Sequence, residues 1–527
     1  MKLRLALTIS GAVSLGPYEA GALAALIVAV RELCQGDDPP VRVDAIGGAS
    51  AGSITGMLAA RCLLEGIDPV HVMREVWVTR ASFDAMRSTA TDSLLSVQSF
   101  EGTAADLIDP RDALGRPTHR VGVHQSLPIR LEVALACLRG LEYRVPSLSR
   151  RTPVQASTHL DWATFTFRPG QRFEELVEPK GASALDAAMA SAANPFAFPP
   201  RLLDRREHEE LYRRRGIVNF PRSGQLWYTD GGTLEREPLT RTIALVNELD
   251  RGITGDVRRM QLLVHPHPTG APTGDAWADP ATPPTWLGTL RRSQDLQRTQ
   301  SLYDDLLHLE ELNTRIGWAN RLVGELEPVL EELAPQHEST LRDALCRALA
   351  KIEGERRALR AHETGAAEAA AVPVDEGRPT VELLREAIER VAAIAGKRPI
   401  ALEAISPQVL PEAKDTPIIR MLAGEFLFHF GGFFDERLRQ SDFDLGYRST
   451  VEWLRAGGLR DHGLAVDLDE QALASAETAY RPRQTWRRMG SADIGSLGWD
   501  TRLDVARVVA HLLRLVVHDL RHARPQS

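Results

Sequence analysis

Two short apolar runs near the start of the chain, Leu3 to Ile9 and Val41 to Ile46, are each followed by a glycine-bearing turn and then by helical spacing, over Tyr18 to Leu33 and Ile54 to Leu64. Short runs rich in β-branched residues predict buried strands, and apolar residues recurring at three and four predict packed helices. The chain therefore opens strand, loop, helix, strand, turn, helix. The pattern next predicts a helix over Pro69 to Thr79, an acidic surface excursion over Phe83 to Leu114, an amphipathic helix over Ile129 to Leu141, and strands over Glu142 to Leu148 and Val154 to Phe167, with His159 in a structural position. A small-residue helix from Leu185 to Ala193 should stop before Pro195, and Leu226 to Asp230 reads as a further strand. From about Trp286 the spacing becomes helical: Leu290 to Ile316, Asn320 to Leu333, Glu338 to Arg360 and Thr380 to Ala395, with a linker-like Ala361 to Pro379 and an amphipathic helix over Leu503 to Leu520. This predicts an α/β domain over residues 1–275, followed by a mostly α-helical region over 276–527 with a mobile loop at 361–379.

The first two turns carry the candidate chemistry. Gly48-Ala49-Ser50-Ala51-Gly52 is a G-x-S-x-G placed between a predicted strand and a predicted helix, the context in which a strained elbow lifts a serine hydroxyl clear of the backbone at a helix N-terminus. Gly48 and Gly52 allow strand and helix to pass closely. The earlier loop, Gly11-Ala12-Val13-Ser14-Leu15-Gly16, exposes consecutive backbone N–H groups beside a helix N-terminus. Gly11, Ala12, Val13, Ser14 and Gly16 are thus candidate backbone donors to an oxyanion, whose loss one at a time typically lowers rates by about 10² to 10³. Neither loop has the spacing of a dinucleotide or ATP site. A third landmark, Asp230-Gly231-Gly232 at the end of an aromatic strand, places a carboxylate on backbone free to turn sharply. Asp is a weak base at its ordinary pKa of about 3.9 and needs burial to accept the serine proton.

Composition narrows the class. The net charge of −8 on 527 residues gives no sign of nucleic-acid binding. Four widely spaced cysteines form no ligand or disulfide pattern, which predicts neither structural zinc nor a disulfide framework and fits a reducing compartment. The apolar start breaks at Ser10-Gly11 without a cleavage site, unlike a signal peptide. No uninterrupted apolar stretch reaches the roughly 18 residues of a spanning helix. Cytoplasmic location is the expectation, with peripheral membrane contact as its variant; the basic stretch Arg201 to Arg222 reads as a solvated helical face or as a patch for anionic lipid.

Three segments in this order, Gly11 to Gly16, Gly48 to Gly52 and Asp230 to Gly232, resemble the patatin-like phospholipases, and Ala190-Ser191-Ala192-Ala193-x-Pro195-x-x-Phe198-x-Pro200 is similar to the block that family carries between them. The resemblance covers roughly residues 1 to 270. It implies a three-layer α/β/α hydrolase fold, no metal or organic cofactor, Ser50 as nucleophile, Asp230 as its partner in a Ser-Asp dyad, and hydrolysis of phospholipid or lysophospholipid acyl esters through an acyl-enzyme. Two positions depart from the family pattern: Leu15 stands where a basic residue is usual, and Glu235 and Arg236 follow the Asp-Gly-Gly where Asn is common, whereas Pro238 matches.

Two rival readings share these residues. His265 or His267 could complete a Ser…Asp…His triad in chain order. A lipid-binding protein with a decayed site is the reading that Leu15 keeps open. The aromatic cluster Phe426 to Phe434 reads either as packing of the helical half on the hydrolase half or as lining for an acyl chain.

Overall fold

The computed structural model describes residues 2–86, 95, 124–145, 154–171, 182–195, 197–251, 253, 256–267, 286–364, 378–395, 397–425 and 430–483, with isolated positions between 503 and 514. The acidic excursion beyond Met86, the tail of the strand expected to end at Leu148, most of the 361–379 loop, Phe426 to His429 and nearly all of the expected helix Leu503 to Leu520 lie outside these residues.

The first half of the chain alternates as its pattern predicts. Strand β1 (Lys2–Ile9) leads through a single 3-10 turn into helix α1 (Gly16–Val30), and strand β2 (Val41–Gly48) leads through Ser50 into helix α2 (Ala51–Glu65). Strand β1 lies between β2 and strand β7 (Val257–Val264), parallel to both. Every residue of α1 and α2 is buried, in α2 including the ion pair of Arg61 with Glu65. The segment Val13–Cys34 is in fact long and apolar enough by composition to cross a membrane; 94% of its 18-residue apolar window lies inside the molecule.

The expected helix over Ile129 to Leu141 is instead strand β3 (Ile129–Val145). Ile129, Leu131, Val133, Leu135 and Cys137 alternate and are all buried, a period of two that the helix-forming Ala, Leu, Glu and Arg between them disguise. Tertiary pairing overrides that propensity: β4 (Val154–Phe167) runs antiparallel along one edge of β3, while β2 and β6 (Gln225–Asp230) share its other edge. Their approach to β3 fixes the site. Parallel β2 ends with Gly48 opposite Val133, and antiparallel β6 ends with Asp230 opposite Leu135. The two strand tips therefore meet head to head over one short stretch of β3.

Helix α3 (Ala184–Ser191) is shorter than expected by its last two residues and starts with a capping box between Ser183 and Asp186. The basic stretch is not one helical face: Arg201–Asp204 forms β5, Glu209–Arg214 a short helix, and Arg205 is buried against Tyr212 and Trp162. Arg215 bonds Asp161 at 2.9 Å, and Arg213 and Arg214 pair with Glu209 and Glu210.

The helical second half returns to the sheet. Helix α4 (Leu239–Leu249) covers β1 and β2, and the two helices expected at 290–316 and 320–333 are one, α5 (Trp286–Glu331). Strand β8 (Ile400–Ile405), not anticipated from the sequence, extends the sheet beside β7, so the expected boundary at residue 275 is not the end of the sheet. Helix α6 (Glu436–Arg455) crosses α1 at backbone contact: a Cβ on Gly446 would stand 1.9 Å from Tyr18 O, and one on Gly21 2.0 Å from Phe443 O. The α/β fold and the mostly helical C-terminal region are thus as expected, joined by a shared sheet and a glycine crossing.

Candidate active site

Ser50 sits at the N-cap of α2 with φ 51° and ψ −126°. A non-glycine residue rarely adopts positive φ, and such strain persists only where the surroundings over-determine it. Here they do. Ser50 N–H donates to Ser191 Oγ at 2.9 Å, and Ser50 O accepts from Ser53 N at 3.0 Å and from Ser53 Oγ at 2.6 Å. The flanking glycines are required by contact: a Cβ on Gly48 would stand 2.5 Å from Gly52 O, and one on Gly52 2.4 Å from the carbonyl oxygens of both Ile9 and Ser10.

The geometry brings Asp230 to this serine across 180 residues of chain: Ser50 Oγ donates to Asp230 Oδ2 at 3.1 Å. Both residues are only 4% exposed. Asp230 Oδ1 accepts from Gly232 N at 2.8 Å, and Oδ2 also accepts from Asn194 Nδ2 at 3.3 Å. Burial pushes the carboxyl up to about 6, a rise that the bonds from Gly232, Ser50 and Asn194 and the charge of Arg236 only partly offset. That value suits a base near neutral pH better than an ordinary aspartate. Gly231 and Gly232 form the 3-10 turn after the acid, and Gly231 lies against Ala134 O, where a Cβ would stand at 2.1 Å.

The Gly11 loop reaches the serine from its other side; a Cβ on Gly11 would stand 3.2 Å from Ser50 Cβ. Two of the five expected donors are already engaged. Gly11 N–H donates to Arg236 O at 2.8 Å, and Gly16 N–H donates to Val13 O as the chain turns into α1. Ala12, Val13 and Ser14 keep N–H groups with no partner among the described residues, and Val13 holds a second positive φ of 51°. The correction has a plain cause: a loop that closes a 3-10 turn uses the N–H groups at its ends.

No histidine stands between the serine and the acid. His265, which the triad reading placed there, bonds Glu237 through Nε2 at 2.6 Å and accepts from His267 N through Nδ1 at 2.7 Å. His159 is held by Cys137 O at 2.7 Å, as a structural residue. All four cysteines are free, and among the described residues no cluster of His, Cys, Asp or Glu could hold a metal ion.

A narrow apolar pocket of about 40 Å³ opens on Ser50, walled by Val13, Ile54, Trp77, Met86, Met189 and Phe433 among others. From the aromatic turn of the helical half, Phe433 lines this pocket and Phe434 stacks on Phe83 with centroids 5.3 Å apart, so the turn packs the helical half on the first half of the chain. Sequence reasoning gave no role to Ser191 and Asn194, which brace Ser50 and Asp230 respectively, although both lie in the Ser191-Ala-Ala-Asn194-Pro block; nor did it give one to Trp77 or Arg236.

The fold is thus a mixed sheet between helical layers, with an elbow serine bonded directly to a buried carboxylate. Residues 7–243 match the family model for patatin-like phospholipases, so this part of the chain is similar to that domain, from a family of lipid acyl hydrolases. No curated protein matches the chain.

Proposed function

We propose that the protein hydrolyses carboxylic esters of phospholipids or lysophospholipids through an acyl-enzyme on a Ser50–Asp230 dyad. The observation that carries this reading is the buried 3.1 Å bond from Ser50 Oγ to Asp230 Oδ2. In the forward step Ser50 Oγ attacks the ester carbonyl carbon as its proton passes to Asp230, and the negative charge gathers on the former carbonyl oxygen beside the Gly11 loop. Collapse expels the alcohol, which takes its proton from Asp230. Water then repeats the sequence on the acyl-Ser50 ester, with Asp230 again as base, and releases the fatty acid. Against a decayed site speaks the hydrogen-bond contact of both chemical groups and their braces.

The apolar pocket supports an acyl chain as the group that seats beside Ser50. Peripheral contact with a membrane is consistent with such a substrate. Purified protein is expected to release fatty acid from mixed micelles of phosphatidylcholine or lysophosphatidylcholine, and Ser50→Ala to release none above background. Equal release by both would sink the reading. Phe433 is part of the wall of the pocket, so Phe433→Ala is expected to shift the ratio of kcat/KM toward longer chains by several-fold across p-nitrophenyl esters from butyrate to palmitate. An unchanged chain-length profile would remove Phe433 from the acyl wall.

A further inference from the structure

Gly11 is tied twice to a single residue. Its N–H donates to Arg236 O at 2.8 Å, and its carbonyl accepts from Arg236 Nε at 2.6 Å. Arg236 follows the acid turn, so the loop that approaches Ser50 on one side hangs on the segment that delivers Asp230 on the other. Gly11 also lies between the two side chains: a Cβ there would stand 3.2 Å from Ser50 Cβ and 3.5 Å from Arg236 Cγ.

A trans peptide makes this clamp directional, because its carbonyl and the next residue's N–H point in opposite directions. With Gly11 O held on the Arg236 guanidinium, the N–H of Ala12 is turned away from Arg236, and it has no partner among the described residues. We infer that Arg236 is a positioning residue for the reaction, aiming the Ala12 N–H at the oxyanion that forms over Ser50. The cation beside the loop therefore comes from the acid segment rather than from position 15, where Leu15 is buried with Ala12, Tyr18, Leu410, Met421, Leu422 and Leu445.

The electrostatic setting suits the role. Arg236 Nε lies 3.6 Å from Glu237 Oε1, and that carboxylate is shared with His265. Glu19, on α1, is held well above its ordinary carboxylate range by burial and bonds Ser10 rather than Arg236. Burial lowers the basicity of His267. Asp230 feels the Arg236 charge, which favours its ionised form.

The inference rests on Ser50 as nucleophile, and the Ser50→Ala comparison tests that separately; a wild-type enzyme indifferent to Arg236 would overturn only the present proposal. The full chain is used, with p-nitrophenyl butyrate as substrate and a trifluoromethyl ketone, which forms a charged adduct with the serine, as transition-state analogue. Arg236→Ala is expected to lower kcat by 10- to 100-fold with KM changed less than threefold, and to weaken the ketone's Ki by the same factor as kcat. Arg236→Lys, which keeps a cationic donor, should recover most of both losses. A kcat within twofold of wild type overturns the proposal, as does a loss of kcat with an unchanged Ki. Failure of both variants to fold overturns it too, since a positioning role leaves a folded, slow enzyme.

Discussion

Replacing Asp230 by Asn is expected to lower kcat by roughly 10²- to 10⁴-fold, the span that a positioned general base contributes, and to make the protein more stable at pH 8. Both effects have one cause. Burial holds the Asp230 carboxyl at about 6, above its ordinary value of 3.8. A group whose folded pKa is raised contributes stability that is fully present below the unfolded pKa and is lost as pH rises through the folded one. Above pH 6 the ionised Asp230 is therefore a cost of about 3 kcal/mol to the folded state. That ionised form is also the one that the proposed dyad needs as acceptor of the Ser50 proton. The wild-type kcat/KM should accordingly rise with pH through an apparent pKa near 6 and then level off. His265→Ala, in the same assays, should keep kcat within about tenfold of wild type, because His265 faces Glu237 and not Ser50. Thermal melts at pH 5 and pH 8 check the stability half: the gap between Asp230→Asn and wild type should widen at the higher pH. A variant that loses stability at pH 8, or an activity profile flat from pH 5 to pH 8, would contradict the assignment of Asp230 as a buried base.

Gly52→Ala carries the second largest expected effect. Its Cβ would stand 2.4 Å from two carbonyl oxygens at the end of β1, Ile9 O and Ser10 O, and neither is the free end of a flexible side chain. Helix α2 must move away from β1, at a cost of about 1–3 kcal/mol. The movement also pulls Ser50 off Asp230 and off the Gly11 loop, so activity should fall by more than 100-fold even where the protein remains folded, since displacement of about 1 Å is enough for such a loss. Gly317→Ala, inside α5 at a position with nothing within 4 Å of the added Cβ, is the control: it should leave activity unchanged and stabilise the protein by up to about 1 kcal/mol. Denaturation midpoints and kcat/KM on p-nitrophenyl butyrate measure both parts.

How far the site was legible in the sequence follows from the range of each interaction. The elbow is local: two glycines, a serine and the strand and helix on either side are contiguous, and the backbone strain at Ser50 is what their spacing encodes. Asp230 was legible because an acid followed by two glycines ends an apolar strand. The clamp on Gly11 was not, since Arg236 lies 225 residues away and an arginine after a turn has no pattern of its own. Strand β3 was misread for a different reason. Its Ala, Leu, Glu and Arg favour helix, and only the pairing of both its edges, invisible from within the segment, makes the alternation of Ile129, Leu131 and Val133 decisive. The helical half looked separate because its composition changes near Trp286. Phe433 and Gly446 reach the site and α1 through the tertiary fold alone, so the wall of the pocket beside Ser50 and the seam that places it could not be read from either half.

The central claim is that Ser50 is an activated nucleophile, and a fluorophosphonate probe tests it most directly. Intact mass of the full chain after exposure at pH 8 should show one phosphonyl adduct per molecule, peptide mapping should place it on Ser50, and Ser50→Ala should remain unmodified under the same conditions. An unmodified wild-type protein, or an adduct on another residue, would contradict the account.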